Sequence, residues 1–254
     1  MLPRERQIEI VKLVNRQGTV KTTELAERLD CTEETIRRDL DVLEKAKKVV
    51  RSHGGAMSIQ DSLEEIQHHK RESREVKEKK QIGELAASFL EEGETIFIDE
   101  SSTALAMIDF LPHDIEFSII TTSLLVSRRV SAMKNVKLYL LGGLYDEMSY
   151  SFGGYIAEQA MSYITVDRFY LSSKGVDVEQ GATEANEERA RLKRSLLKSA
   201  KWTCVLSDYT KLGFKARFSF MPTHEIDLLI TDDSASEDVI EQFNRAGLKT
   251  LIKK

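Results

Sequence analysis

Arg37 and Arg38 stand in the run Thr32-Glu33-Glu34-Thr35-Ile36-Arg37-Arg38-Asp39-Leu40. Once Ile36 and Leu40 are assigned to a buried stripe, Thr32, Glu33, Thr35, Arg37 and Arg38 are left on the polar side of one short helix. A guanidinium there can donate two hydrogen bonds to O6 and N7 of a guanine edge, and a threonine hydroxyl can reach a base or a phosphate oxygen. Each bidentate contact of this kind discriminates by about 1–3 kcal/mol. The same arginines also have carboxylate neighbours in Glu33, Glu34 and Asp41, so one of the two is expected to pair internally, and the spacing does not say which. Lys47, Lys48, Arg51, His53 and Gly54 cluster at a Gly-Gly turn further on, and Thr22 opens the preceding helix. Such groups meet phosphate and set register without reading sequence.

The elements that must position these residues follow from hydrophobic period and cap chemistry. Pro3 suits a first helical position, and Ile8, Val11, Leu13 and Val14 continue a helix that Gly18 ends. Thr19-Val20-Lys21 reads as a short extended piece. Thr22 or Thr23 is expected to cap a second helix with Leu25, Ala26 and Leu29 inward. After Asp30-Cys31, Thr32 caps a third helix; Glu33 and Glu34 favour the dipole in its first turn, and Ile36, Leu40 and Leu43 face inward. Val49–Arg51 and Ala56–Ile59 flank Ser52-His53-Gly54-Gly55 as a two-strand hairpin. Two short helices with a tight turn, followed by a hairpin, make a winged helix-turn-helix whose third helix enters the major groove of double-stranded DNA.

Composition bounds the rest. The chain has 254 residues, 41% hydrophobic and 31% charged, which fits a soluble globular protein of one large domain or of a small one plus a medium one. The net charge of −5 is unevenly spread: residues 1–58 hold 12 Lys and Arg against 10 Asp and Glu, the remainder 25 against 32. A mildly basic head on an acidic body directs phosphate contact to the head. A purely architectural DNA-binding protein would carry a more basic head than this. The charged start MLPRERQIEI is no export signal, and no stretch suits a bilayer, so a cytoplasmic protein without membrane contact is expected. Cys31 and Cys204 lie far apart and read as reduced and buried; His68-His69 lacks partner ligands at metal-binding spacing. No metal or cofactor is expected.

Residues 60–80 are polar with few apolar anchors, and a linker is assigned to 59–80. From residue 81 to 254, apolar runs such as TIFID, FSIIT, VKLYLLGG, DRFYLSS, WTCVLSD, DLLITDD and LKTLI alternate with helical segments, one a long charged helix from about Thr183 to Ala200. That pattern means a mostly parallel α/β sheet covered on both faces.

The run TVKTTELAERLDCTEETIRRDLDVLEKAKKVVRSHGGA strongly resembles the DNA-binding head of DeoR-family regulators, with T-I-R-R-D-L in the third helix and G-G-A in the wing as its characteristic parts. The resemblance covers nearly the whole chain. It implies a C-terminal sensor domain related to sugar-phosphate isomerases, a phosphorylated sugar as effector, and a homo-oligomer, dimer or tetramer, on operators of sugar-catabolic genes. The family's D-S-G-T-T loop is matched by Asp99-Glu100-Ser101-Ser102-Thr103, with Ser101 in place of the glycine; T-N-S by Thr121-Thr122-Ser123; G-G by Gly142-Gly143; and D-x-x-K by Asp208 and Lys211. Ser172-Ser173-Lys174-Gly175 is similar to the run after the equivalent strand in regulators of deoxysugar operons. These runs follow strands, and in an open parallel sheet ligands bind at the carboxyl edge, where backbone N–H groups and hydroxyls converge. Lys174, Lys193 and Lys211 are candidates to pair with phosphate; Asp99, Glu184 and Asp208 can accept from sugar hydroxyls. Within the family the motifs most resemble regulators of L-rhamnose and L-fucose catabolism, which implies a 6-deoxyketohexose 1-phosphate. An isomerase would need a base and an electrophile at the sugar carbon, roles open to Glu184 or Asp208 and to Lys174. The acidic D-G-A-D-E and the K-G-G loops of ribose-phosphate isomerases are absent, so a regulator rather than an enzyme is expected.

Overall fold

The computed structural model describes residues 3–17, 19–46, 48–52, 54–57 and 72–253. Lys47 and His53 of the wing, His68-His69 and residues 59–71 of the expected linker lie outside the described residues. The chain divides into two compact units, residues 1–70 and 71–254.

The first unit runs α1 (Pro3–Gln17), β1 (Thr19–Lys21), α2 (Thr22–Arg28), α3 (Glu33–Lys45), β2 (Val50–Ser52) and β3 (Gly55–Met57). Thr32 caps α3, its hydroxyl accepting from the Thr35 N–H at 3.3 Å. The cap of α2 differs from expectation. The helix begins at Thr22 itself, Lys21 precedes it without a side-chain cap, and Thr22 is buried with its N–H donated to the Gly54 carbonyl at 2.8 Å. The wing's own carbonyl therefore does what a threonine cap would have done. Ile10, Val14, Leu25, Ile36 and Leu40 close the core, with Val20, Val49 and Ala56 contributed by or beside the three-stranded sheet β1-β3-β2. Asp39, the acid of the T-I-R-R-D-L run, is buried and ties α3 to α1 by accepting from Arg6 Nε and, at 3.0 Å, from Gln7 Nε2. Gly55 is required where it stands: a Cβ there would lie 2.1 Å from the Val20 carbonyl oxygen.

The second unit is built on a seven-stranded sheet in the order β15-β14-β12-β9-β4-β5-β6, every pairing parallel. The strands are β4 (Thr95–Ile98), β5 (Phe117–Thr121), β6 (Val136–Leu140), β9 (Arg168–Leu171), β12 (Thr203–Leu206), β14 (Leu228–Thr231) and β15 (Thr250–Ile252). Alternate residues feed opposite faces, as a pleat requires. Ile96, Ile98, Ile119, Tyr170, Cys204, Leu206 and Ile230 join one core, while Phe97, Ile120, Phe169, Leu171, Val205 and Leu229 join the other. The helices are α4 (Val76–Ala87), α5 (Ser102–Met107), α6 (Leu124–Val130), α7 (Gly154–Ser162), α8 (Glu187–Leu197) and α9 (Glu237–Arg245).

Two small antiparallel sheets were not foreseen from the alternating pattern: β7 (Leu144–Asp146) with β8 (Ser151–Gly153), and β10 (Gly175–Asp177), β11 (Gly181–Glu184) and β13 (Phe218–Met221) in the order β10-β11-β13. The expected helix from Thr183 is corrected accordingly. Thr183 and Glu184 end a strand, and α8 starts only at Glu187, where Asn186 caps it by accepting from the Arg189 N–H at 3.1 Å. No described helix is long and apolar enough to cross a membrane.

Candidate functional site

On the first unit, α3 presents its polar side to solvent. Arg37 Nη2 lies 2.9 Å from Glu33 and its Nη1 3.7 Å from Glu34; Arg38 Nε lies 3.4 Å from Glu34. Both arginines therefore pair internally, Arg37 more tightly, and Arg38 has the more exposed side chain (78% against 53%). Exposed pairs of this kind contribute about 0–1 kcal/mol. A bidentate contact with a guanine edge discriminates by about 1–3 kcal/mol, so pairs this weak leave either guanidinium able to exchange its carboxylate for a base. The Thr35 hydroxyl sits 2.9 Å from that of Thr32. Lys48 is exposed at the start of the wing, and Arg51 leans on α3, 3.8 Å from Asp41. Gly54 is exposed at the wing's turn with φ 82°. The buried side chain of Thr22 is not presented to a DNA surface, which removes it from the interface as a side-chain contact.

On the second unit, the candidate residues gather at the carboxyl ends of adjacent strands. Lys193, from α8, is almost wholly buried. Its Nζ donates to Glu184 at 2.9 Å and to the Ser172 carbonyl at 2.6 Å, and lies 3.2 Å from Asp99. Burial pushes the Lys193 ammonium pKa down, but Glu184, Asp99 and Glu100 reverse this and hold it well above the ordinary lysine value. Burial likewise pushes the Glu184 carboxyl up, and Lys193 with Arg189 brings it below the ordinary range. Asp99 also accepts from the N–H and hydroxyl of Ser101 and from the Ser172 N–H at 3.0 Å. Glu100 is pushed up by burial, against the pull of Lys193.

Ser101 has φ −73° and caps α5, its hydroxyl accepting from the Ala104 N–H at 3.1 Å. The backbone here is ordinary, so no glycine is needed. Thr121 clips β5 to β4 by donating to the Ile98 carbonyl at 2.7 Å, Thr122 is buried, and Ser123 caps α6 by accepting from Val126. Gly142 faces open space, whereas a Cβ on Gly143 would meet the Gly153 carbonyl at 2.4 Å. Gly175 likewise packs its backbone against the Phe214 carbonyl. Asp208 accepts from the Thr210 N–H at 3.2 Å, and Lys211 reaches Asp208 at 3.0 Å and the Ser172 hydroxyl at 3.4 Å. Burial raises the Asp208 carboxyl, and Lys211 and Thr210 overcome it.

The cluster thus joins Asp99, Ser101, Glu184 and Lys193 to Asp208 and Lys211 through Ser172. Lys174 stands apart: it is exposed and gives its backbone N–H to the Thr183 carbonyl. Lys193 is committed to two carboxylates and a carbonyl, so Lys211 is the more available cation. Four buried hydroxyls at this edge, on Thr103, Ser173, Ser207 and Thr231, have no hydrogen-bond partner among the described residues. Ser173, Ser207 and Thr231 lie at the ends or turns of β9, β12 and β14, and Thr103 in the first turn of α5, the helix after their neighbour β4. A buried polar group left unpaired costs about 1–3 kcal/mol, so four together mark a place for a polar ligand.

Lys79, Asp232, Ser207 and Thr231, all at this edge, escaped the sequence reading. Lys79, from α4, is buried at the edge of this cluster, where Lys211 and Asp208 act on its charge. Asp232 follows β14 and accepts from the Tyr209 N–H at 2.8 Å and the Ser234 N–H at 3.0 Å. The acid after an apolar strand was the available signal for Asp232. Lys79 lies in a charged run whose composition reads as linker. Among the described residues no group of three or more His, Cys, Asp and Glu could hold a metal ion.

Residues 74–233 match the family described as DeoR C terminal sensor domain, and residues 6–62 match the DeoR-like helix-turn-helix domain. The chain is 39% identical to the uncharacterized HTH-type transcriptional regulator YulB of Bacillus subtilis (strain 168), over 95% of this chain and 94% of that protein. It is 32% identical to the HTH-type transcriptional regulator GolR of Listeria innocua, over 99% of each. It is 31% identical to the HTH-type transcriptional repressor GlcR of Bacillus subtilis (strain 168), over 99% of this chain and 97% of that one. Among solved structures, ribose 5-phosphate isomerase A of Methanocaldococcus jannaschii aligns over 52% of each chain at 16% identity and a TM-score of 0.39, a likeness too distant to carry an argument.

Proposed function

The chain belongs to the DeoR family of helix-turn-helix transcriptional regulators, and on that premise we propose that it represses a sugar-catabolic operon until a phosphorylated sugar binds at the carboxyl edge of its sensor sheet. The observation that carries the effector reading is the set of unpartnered buried hydroxyls of Thr103, Ser173, Ser207 and Thr231 beside Lys79 and Lys211. Sugar hydroxyls and a phosphate offer donors and acceptors to such a wall. Asp99, Ser101, Ser102, Thr121, Thr122, Ser123, Gly142, Gly143, Gly175, Glu184 and Asp208 shape or support it, and Lys193 fixes its acids. The motif likeness to rhamnose and fucose regulators favours a 6-deoxyketohexose 1-phosphate. On the head, Thr32, Glu33, Thr35, Arg37, Arg38, Lys48, Arg51 and Gly54 form the DNA face, with Lys47 and His53 in the same stretch of sequence.

Self-association belongs to this reading. Tyr139 and Leu140 on the edge strand β6, Leu144 in β7 with Met148 just after it, and Tyr155 and Ile156 on α7 are exposed, Leu144 by 71% and Tyr155 by 75%. An open strand edge with an apolar flank is a liability for a chain that stays alone. A second copy of this chain offers the same surface in return, which is how a two-fold interface closes. Sedimentation of the chain carrying Tyr155→Glu and Ile156→Lys is expected to show a smaller species than the parent; an unchanged mass refutes this interface.

Thermal unfolding against a panel of sugar phosphates tests the effector. The panel holds L-rhamnulose 1-phosphate, L-fuculose 1-phosphate and other ketose and aldose phosphates, each beside its free sugar. A ligand at a hundred times its dissociation constant stabilises the folded state by about 2.7 kcal/mol. A shift with a phosphate and not with its free sugar supports the reading and names the sugar. Equal behaviour of every phosphate and its free sugar refutes it.

A further inference from the structure

The sensor sheet ends in two strands with a free side, β15 and β6. Such an edge pairs with another chain unless something blunts it, and short length and lysines are common means. β15 has both: three residues, Thr250–Ile252, between Lys249 and Lys253, the second held by Glu84 of α4. β6 is guarded by neither. It is five residues long, Val136–Leu140, and Tyr139 and Leu140 are each 40% exposed. Its one lysine, Lys137, lies over the Tyr139 ring, with its Nζ 5.2 Å from the centroid, instead of standing out as a guard.

The hydrogen bonds to β5 fix which groups of β6 face outward. The Asn135 carbonyl accepts from the Phe117 N–H at 3.3 Å, and the Leu141 N–H donates to the Thr121 carbonyl at 2.8 Å. Direction alternates along a strand, so Lys137 and Tyr139 also turn their backbone groups toward β5, and Val136, Leu138 and Leu140 turn theirs away. Among the described residues, β6 pairs with no strand but β5. Donors and acceptors in this order complement a reversed copy of the same strand, which is what a two-fold interface requires. The charges agree with reversal. Lys134 and Lys137 stand at the start of β6, and Asp146 and the exposed Glu147 follow its end. Antiparallel copies bring these opposite signs toward each other, whereas parallel copies align like signs.

We propose that β6 pairs antiparallel with β6 of a second copy about a two-fold axis at Tyr139, joining two sensor sheets into one. This rests on the self-association in the proposed function and adds the backbone pairing that carries it. Leu138 of one chain then stands opposite Leu140 of the other, a pair that exchanges both N–H···O bonds, so the two symmetric pairs hold four bonds at the centre. Tyr139 meets its own copy in the intervening pair, at about 4.5 Å between Cα atoms, where aromatic side chains pack across strands. An axis at Tyr139 centres the exposed part of the strand. It also sets Val136 of one chain opposite Gly142 of the other, which is exposed and has open space where a Cβ would stand.

The test uses the full-length protein. Leu140→Pro removes one outward N–H per chain at an edge position, where proline is tolerated, and leaves the bonds to β5 in place. Two of the four central bonds are then lost. Self-association read by sedimentation is expected to weaken roughly 10- to 100-fold, with the unfolding transition read by Trp202 fluorescence as in the parent. Tyr139→Cys is made in a Cys31→Ser background, where the remaining Cys204 is buried. It is expected to form a disulfide-linked dimer under mild oxidation, because its separation falls in the range of about 4.4–6.8 Å between Cα atoms that a disulfide spans. Lys137→Cys in the same background stands about 14 Å along the strand from its own copy and is expected to stay unlinked. The strand pairing is overturned by Leu140→Pro associating as the parent does, by Tyr139→Cys associating without cross-linking, or by Lys137→Cys cross-linking as readily; self-association through Tyr155 and Ile156 then still stands. If Leu140→Pro does not fold, the two cysteine variants decide. A parent protein that sediments as a single chain overturns both.

Discussion

Replacing Lys193 by methionine removes the cation from the most buried charge cluster of the sensor domain. Methionine keeps most of the volume, so the loss is electrostatic. The ammonium is 2.9 Å from Glu184, 3.2 Å from Asp99 and 2.6 Å from the Ser172 carbonyl, with 6% of its side chain exposed. Breaking a buried pair by deleting one partner costs about 3–5 kcal/mol, because the surviving charge stays buried without compensation. Here two carboxylates survive. Asp99 retains donors in Ser101 and Ser172, so the burden falls on Glu184. For a domain of this size the loss lowers the melting temperature by roughly 6–20 °C. Trp202 is the only tryptophan, and it packs in the sensor domain near Phe89 and Tyr170, so its fluorescence in a urea titration reports this domain and not the head. The sign of the pH dependence is fixed. In the parent, Glu184 is held below its ordinary value of 4.5 and Lys193 above its ordinary 10.5, so their contribution is full between those values. It fades as pH falls through the folded value of Glu184 or rises through that of Lys193. In the variant the stranded carboxylate takes up a proton more readily, so the deficit relative to the parent shrinks as pH falls toward 4.5. A deficit under about 1 kcal/mol at pH 7, or one that does not shrink in acid, refutes the view that Lys193 compensates these acids.

Other outcomes follow from single contacts. Arg37→Ala and Arg38→Ala are each expected to reduce preference for operator over scrambled DNA by roughly 10- to 100-fold in competition binding, with a smaller loss of non-specific affinity; full retention of preference in both removes α3 from the groove. Gly55→Ala places a methyl 2.1 Å from the Val20 carbonyl oxygen and is expected to break the β1–β3 pairing, seen as loss of operator binding with the Trp202 transition unchanged. Glu100→Gln is expected to raise sensor stability at pH 7. Burial raises the folded-state pKa of Glu100, so stability is lost as pH climbs from 4.5 through that folded value, and the variant's advantage disappears below pH 4.5. A pH-independent effect would show that ionisation is not its cause.

The head was legible because its signals are local. Thr32 caps α3, Ile36, Leu40 and Leu43 line one face, and the glycines of the wing fix its turn, each read from neighbours within a few positions. Thr22 misled because its N–H is satisfied by Gly54, a residue far along the chain that no local pattern announces. In the sensor domain, apolar runs revealed the parallel strands, since both faces are buried. The strands β10, β11 and β13 were missed because they are short antiparallel pieces whose partners lie across loops, and β11 directly precedes a charged helix that absorbed it in the pattern. The gathering of candidate residues at one sheet edge could be read, because topology brings strand ends together. Lys79 could not, because a lysine in a charged run looks solvated until the packing of α4 buries it.

The sizes of these terms constrain how a response could work. Turning a population from 1:99 to 99:1 requires a differential of about 5.5 kcal/mol between the two states. A ligand that prefers one state of a protomer by roughly 10- to 100-fold supplies about 1.4–2.7 kcal/mol. One protomer therefore falls short of a full switch, and two acting together approach it only at the upper end of that range. The apolar face of β6 and α7 then bears on the size of the response as well as on assembly. A dimer that binds two half-sites multiplies a small per-chain difference, and a chain made monomeric by Tyr155→Glu and Ile156→Lys is expected to bind phosphate as the parent does while responding to it only partially at the operator. A full response from that monomer would show that a single chain supplies the whole differential.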